Sequence, residues 1–283
     1  MKLLCVGQLG WDITTIGNNT KKNFGGSVLH FSLAAALMGL KSDILCYVNK
    51  TEWKDLLEHL QEIGIGTNLV IDFDSTINFH MFYDNNMNFC EDKFSMDISK
   101  NEPSILCEIA NHTKYDLYNI CETTPEQDWN TLKKISECSP ESKISMQFHI
   151  DNLIRNKKIY MDMMHSIDYV FMNLSEALYI SDSTSIVGAI DYLKPKIKDV
   201  LFITSHDENY AITKDKTIKM KTIPIKKVVD PTGAGDCFAG GAIAGLNLNN
   251  NLEDALRFGA ISSYLKLSDY SSNKLLDILS IYG

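Results

Sequence analysis

The segment 230–241 reads DPTGAGDCFAGG and sets two carboxylates, Asp230 and Asp236, around a glycine pair, shortly after Lys226 and Lys227. Small residues at 233–235 leave backbone N–H groups uncovered. Where such residues open a helix, those groups and the positive end of the helix dipole make an anion site. An acid in a first helical turn ordinarily serves as a cap or dipole partner. Beside an anion site, however, a carboxylate repels phosphate unless it has chemistry to perform. Directed at a hydroxyl, Asp236 can take the proton as that oxygen attacks a phosphoryl group, while the amides hold the developing charge. The residue types and their spacing point to phosphoryl transfer. Two other glycine motifs do not fit. A dinucleotide-binding G-x-G-x-x-G fails because Phe238 stands at the third glycine, and a Walker A loop fails because Gly241 replaces the lysine.

Positioning this stretch requires a strand before it and a helix after it. The residues KKVV run toward a strand end, and apolar helix patterns follow at 235–246 and 252–267. Upstream, short apolar strands are expected at 2–6, 43–48, 116–120, 144–150, 169–172, 200–204 and 217–225. Helices are expected at 25–40, 53–63, 125–138, 159–166 and 185–193. Repeated strand–helix units imply a largely parallel sheet covered by helices on both faces. Between 67 and 94 apolar and polar residues alternate, and Asp84-Asn85-Asn86 reads as a turn, which predicts two or three antiparallel strands forming a small flap. No repeat, low-complexity segment or linker interrupts the 283 residues, which read as a single domain.

The chain is 45% hydrophobic and 22% charged, with a net charge of −9. General binding to nucleic acid or to an anionic membrane favours a basic surface, so neither partner is expected. Only Arg155 and Arg257 supply guanidinium groups, so an anion held here does not rest on an arginine cluster. Seven scattered cysteines without a CxxC argue for free thiols in a reducing compartment. The N-terminus makes a poor signal peptide and no apolar run approaches membrane-spanning length, so the expected location is cytoplasmic.

DPTGAGDCFAGG resembles the C-terminal signature of the ribokinase-like, PfkB-type kinases of carbohydrates and nucleosides. Other segments match in chain order: GQLGWD at 7–12, the pair Gly25-Gly26 before a helix, and Asn173-Leu174-Ser175-Glu176 as an NxxE motif. The resemblance implies a three-layer α/β/α sandwich with a mostly parallel central sheet and a small antiparallel β lid, its strands within 12–24 and 67–97. It implies an ATP-dependent phosphotransferase acting on a sugar-like hydroxyl, with magnesium and in some members potassium. By position, Asp236 becomes the catalytic base, and Gly233, Ala234 and Gly235 offer amides to the transferring phosphate. Asp12 binds acceptor hydroxyls, while Gly25 and Gly26 admit substrate and hinge the lid. Asn173 and Glu176 organise magnesium through its waters, Thr204 lies near the nucleotide, and Asp230 with Thr232 matches a monovalent-cation site.

Each feature also has a plainer reading. Asp12 fits a turn, Gly25-Gly26 a helix start, and NxxE a capping box. His149 and Asp151 share a strand end but no third ligand, so they read as structural. His30 faces either substrate or core. A nucleoside acceptor would need a flat pocket, for which Phe79, Phe82 and Tyr83 are the candidate lining. A third possibility is a non-catalytic sensor, whose signature would be loss of the base or the anion turn, and neither is lost. An exposed strand edge on the flap would suit a homodimer.

Overall fold

Short runs of β-branched and apolar residues alternate with helices, and the alternation dictates the layers. In chain order the elements are β1 (Leu3–Val6), β2 (Gly10–Ile16), β3 (Asn19–Gly25), α1 (Ser27–Leu37), β4 (Ser42–Leu45), β5 (Tyr47–Val48), α2 (Lys54–Glu62), β6 (Ile71–Asp72), β7 (Ile77–Tyr83) and β8 (Phe89–Ser95). There follow α3 (Ile105–Asn111), β9 (Leu117–Ile120), α4 (Pro125–Cys138), β10 (Lys143–Gln147), α5 (Ile150–Met163), β11 (Tyr169–Asn173), α6 (Leu174–Ser181) and α7 (Ile186–Leu193). The chain closes with β12 (Val200–Thr204), β13 (Glu208–Ile212), β14 (Thr217–Lys221), α8 (Ala234–Asn249), α9 (Leu252–Leu267) and α10 (Asn273–Tyr282). The structure is a computed structural model and describes residues 1–85, 87, 89–95, 105–111, 115–249 and 251–282.

The large sheet has the order β14-β13-β12-β11-β10-β9-β1-β4. Pairing is parallel from β4 through β12, and β13 and β14 add an antiparallel edge. One apolar core lies beneath α1, α2, α8, α9 and α10. A second lies beneath α4, α5, α6 and α7 on the other face. Phe171 and Phe202 stack at 4.7 Å on neighbouring strands, with Phe238 of α8 edge-on to both at 6.4 Å. Helix ends are set by local chemistry. Thr124 caps α4 ahead of Pro125, and Ser185 and Asn251 cap α7 and α9.

The flap is a separate four-stranded sheet, β3-β2-β7-β8. Its outer pairs are antiparallel as expected, but the central β2–β7 pair is parallel. Residues 67–76 lie outside it, and Ile71–Asp72 instead pairs with Tyr47–Val48. The turn at Asp84 is present, closed by the Met87 N–H on the Asp84 carbonyl at 3.0 Å. Asn86, and positions 96 and 97 of the expected lid, lie outside the described residues. Trp11 and Phe24 stack at 4.7 Å, and the buried Trp53 of the main body meets them at 5.2 and 4.9 Å, anchoring the flap at its root.

Several expectations need correction. Residues 226–229 form no strand; the Val229 N–H donates instead to the Leu267 carbonyl at 2.8 Å. The first helix starts at Ser27 because Gly25 ends β3 and Gly26 turns the chain at φ 90°, where a Cβ would lie 2.6 Å from the Gln8 carbonyl oxygen. Strand β10 stops at Gln147, and α5 begins at Ile150, nine residues before the expected start at 159. The expected strand at 217–225 ends at Lys221, while β13 and α10 went unseen. No described helix is long and apolar enough to cross a membrane. The cysteines whose side chains are described are free thiols.

Candidate active site

The carboxyl ends of the parallel strands open into a cleft of about 1130 Å³, beside the point where the strand order reverses around β1. Its floor carries the polar residues that end or follow strands: Gln8 after β1, Glu122 after β9, Gln147 of β10, Asn173 of β11 and Thr204 of β12. Its roof is the flap. Alternate residues of β7 face it, namely Ile77, Phe79, Met81 and Tyr83. Phe82 lies between them in the alternation and points to the other face, so it leaves the expected aromatic lining.

Asp236 stands half-buried in the cleft wall in the first turn of α8. Burial pushes its carboxyl up to about 6; His30 pulls it back, Asp12 adds to the rise and Lys266 opposes it. The loop before it follows from Gly233, whose φ of 76° an L side chain rarely adopts, and whose missing Cβ would collide with the His30 ring. Of the three amides expected to meet an anion, that of Ala234 turns back to the Pro231 carbonyl at 3.2 Å. Among the described residues the N–H groups of Gly233 and Gly235 meet no acceptor, and Gly235 borders open space. Two amides, not three, are therefore presented.

Asp12 reaches the same cleft from β2 and is buried. Its Oδ2 lies 2.7 Å from His30 Nε2, and its Oδ1 accepts the Gly26 N–H at 3.1 Å. His30 Nδ1 meets Ser272 Oγ at 2.6 Å. A Cβ on Gly25 would run into the Asp12 carboxylate. The glycine pair thus seats Asp12. His30 proves to be both buried and part of the cleft wall.

Asn173 and Glu176 form a capping box at the start of α6. The Asn173 side chain accepts the Glu176 N–H at 3.0 Å, and Glu176 Oε2 accepts the Asn173 N–H at 2.6 Å. Both also face the cleft. Burial pushes the Glu176 carboxyl up to about 8, with the backbone N–H groups of Asn173 and Ile150 opposing and the Asp236 charge adding. Thr204 lies beside Asn173 in register. Asp230 is wholly buried behind the loop. Thr232 turns its hydroxyl toward the flap, 3.1 Å from the Tyr83 hydroxyl and 3.4 Å from that of Thr14.

The pfkB family carbohydrate kinase model matches residues 8–278, nearly the whole chain. The chain belongs to the pfkB family of carbohydrate kinases. It is a phosphotransferase. A cytidine kinase of Thermococcus kodakarensis is 22% identical over 268 residues, which is 92% of this chain and 93% of that protein. The structure of Burkholderia thailandensis nucleoside kinase in complex with inosine superposes with a TM-score of 0.78 at 15% identity, over 100% of this chain and 97% of that one. A fructokinase double mutant of Vibrio cholerae, bound to fructose, ADP and potassium ion, gives 0.78 at 14% identity, over 99% and 97%. These likenesses establish the ribokinase-like fold.

Sequence reasoning missed several residues of this pfkB-family kinase. Glu122 lines the cleft and accepts the His149 N–H at 3.0 Å; burial and the Asp128 charge push its carboxyl well above the usual range. Gln147 is 9% exposed, and neither atom of its amide has a partner among the described residues. The available signal was position, since polar residues directly after buried parallel strands face the ligand crevice. His149 and Asp151 read as structural, yet both line the cleft, 3.6 Å apart. Among the described residues no three or more His, Cys, Asp or Glu gather as a metal site.

Proposed function

We propose that this chain is an ATP-dependent kinase that phosphorylates a ribosyl hydroxyl of a nucleoside, with Asp236 as the general base. The observation that carries the reading is the placement of Asp236 beside the open amides of Gly233 and Gly235 at the start of α8, in one cleft. An acceptor hydroxyl lying against Asp236 gives its proton to the carboxylate. Its oxygen bonds to the γ-phosphorus as the bond from that phosphorus to the β–γ bridging oxygen breaks, and ADP carries the electron pair away. The two amides face the phosphoryl oxygens as charge shifts among them. Asp12, steadied by His30, orients the acceptor. The flap excludes water, which limits hydrolysis of the donor.

Five acidic side chains, Asp12, Glu122, Asp151, Glu176 and Asp236, line the cleft, with burial favouring the neutral forms of Glu122 and Glu176, whereas Arg155 is the permanently charged cation among its walls. A polyphosphate entering there is repelled unless a divalent cation accompanies it. Glu176 and Asn173 suit magnesium held through its own waters, because each already makes one bond within the capping box and magnesium takes few protein ligands. When bound, magnesium neutralises charge on the phosphates. Thr204, next to Asn173, falls on the donor side.

A nucleoside suits the acceptor side better than a free sugar. The flap offers a roof of Phe79, Met81 and Tyr83, side chains against which a flat base packs well. Both Asp12 oxygens already accept a bond from the chain, which leaves fewer free sites for a sugar's many hydroxyls. Gln147 adds an unpartnered donor–acceptor pair of the kind a base edge satisfies. The named activities of the cytidine and nucleoside kinases agree with this choice. The reading is tested by ADP release across nucleosides, pentoses, hexoses and polyols. A nucleoside should give the highest kcat/KM; a free sugar turned over faster than every nucleoside overturns the acceptor assignment. Pairing of two flaps through β3 is disfavoured, since its exposed edge carries Lys21 and Lys22.

A further inference from the structure

Lys266 occupies a place that nothing in the local sequence motif foretells. It ends the buried stripe of α9, after Leu252, Ala255, Leu256, Gly259 and Ser262, and is itself 0% exposed. Its Nζ lies 3.1 Å from the Asp230 carbonyl oxygen and 3.2 Å from Asp230 Oδ2. The same Oδ2 accepts the Ser271 N–H at 2.8 Å, and Oδ1 accepts the Thr232 N–H at 3.0 Å. Thr232 has its hydroxyl committed to Tyr83 and Thr14.

These are the residues that the family resemblance matched to a monovalent-cation site. A potassium ion needs several oxygens around it. Here the Asp230 carbonyl and carboxylate oxygens that could meet such an ion already hold an ammonium group. The donor set therefore does not fit an added ion while Lys266 is in place. An ammonium carries the same single positive charge as potassium and binds to the same oxygens, and the Lys266 side chain that carries it is fully buried.

We infer that the Lys266 ammonium is a tethered substitute for the monovalent cation, holding the 230–235 loop in the shape that presents the Gly233 and Gly235 amides. Lys266 acts as a positioning residue through Asp230; it does not line the cleft. Its site fixes the loop from below while the Tyr83 and Thr14 contacts fix it from above. The inference rests on the proposed kinase reading for its activity arm, and has an independent arm in ion binding.

The test compares the wild-type chain with Lys266→Ala and Lys266→Met in potassium, ammonium, sodium and choline chlorides at equal ionic strength. Activity with the best acceptor and thermal unfolding are read in parallel, and thallium(I) binding is followed by NMR. Wild type should show the same kcat within about twofold in every salt, no potassium-specific stabilisation and no thallium(I) site. Lys266→Ala removes both charge and bulk. It should lose activity by roughly tenfold or more in choline, recover with potassium or ammonium, gain potassium-specific thermal stability and bind thallium(I). Lys266→Met keeps the bulk without the charge and should not be rescued. Wild-type activity that requires potassium, or a thallium(I) site in the wild-type chain, overturns the inference. So does Lys266→Met retaining full activity in choline. If Lys266→Ala does not fold, the wild-type salt series and thallium(I) titration still decide. Absence of turnover with every acceptor tells against the kinase reading alone, and leaves the thallium(I) and stability comparison standing.

Discussion

His30 and Asp12 face each other as a buried pair, Nε2 to Oδ2 at 2.7 Å, with 2% of each side chain exposed. The imidazole is braced from behind by Ser272, and Gly233 folds against its ring. One side chain therefore links Asp12, the segment before α10 and the loop at Gly233. Removing one member of a buried pair leaves the other uncompensated, at a cost of about 3 kcal/mol. His30→Ala should lose stability of that order in denaturant melts and raise the acceptor KM more than it lowers kcat. Unfolding at the wild-type denaturant midpoint would show that the pair has no structural role.

Asp236 yields a prediction with opposite signs for stability and activity. Its carboxyl rises from an ordinary value of 3.8 to about 6, chiefly through burial. A raised carboxyl binds its proton more tightly in the folded state, so stability falls as pH rises from near 3.8 to about 6 and stays reduced above that. Asp236→Asn removes the buried charge. It should unfold at a higher temperature than wild type at pH 7.5, by a stabilisation on the order of 1–2 kcal/mol. The same variant should lose roughly 10²–10⁴-fold in kcat, since the proton acceptor is gone. Wild-type kcat/KM should fall tenfold per pH unit below about 6 and level off above it. A flat acid limb, or near-normal turnover by the variant, removes Asp236 from the base position.

Gly233 and Gly235 of the 230–235 loop should respond differently to the same methyl group. At Gly233 a side chain meets a φ of 76° and the His30 ring together. Gly233→Ala should cost about 1–3 kcal/mol of stability and most of the activity. At Gly235 a Cβ meets nothing within 4 Å, because the residue opens on the cleft. Gly235→Ala should fold as well as wild type yet raise the donor KM, since the methyl fills space next to the free amide. Equal melting temperatures for the two variants would contradict the loop geometry.

The architecture and the loop around Asp236 were readable because they rest on local pattern: buried strand runs, glycine at a positive-φ position, and an acid at a helix start. What escaped was set by tertiary packing. The strand expected at 226–229 did not form; its last residue, Val229, bonds to the end of α9, not to a sheet neighbour. The parallel β2–β7 junction joins strands separated by the whole α1–α2 region, and no periodicity announces such a pairing. Glu122 and Gln147 acquire meaning only once the sheet order places their strands side by side. Lys266 is different in kind. Its spacing on the α9 stripe was present in the sequence, but a lysine on an apolar face reads as a surface residue until Asp230 is brought beneath it.

The flap strand offers a paired test of the acceptor class. Phe79 and Phe82 are three residues apart on β7, and the alternation of a strand turns them to opposite faces. Only Phe79 lines the cleft. If the roof stacks on a base, Phe79→Ala removes a contact worth about 1–3 kcal/mol, which corresponds to roughly a 5- to 150-fold rise in nucleoside KM. Phe82→Ala should leave that KM within about twofold, because its ring is on the far side of the sheet. Steady-state kinetics on both variants, each with a nucleoside and with free ribose, separates the possibilities. A free sugar has no flat base to stack, so any residual ribose turnover should be indifferent to Phe79. Equal sensitivity of nucleoside and ribose to Phe79→Ala would mean that the roof acts by closing the cleft against water, not by recognising the base.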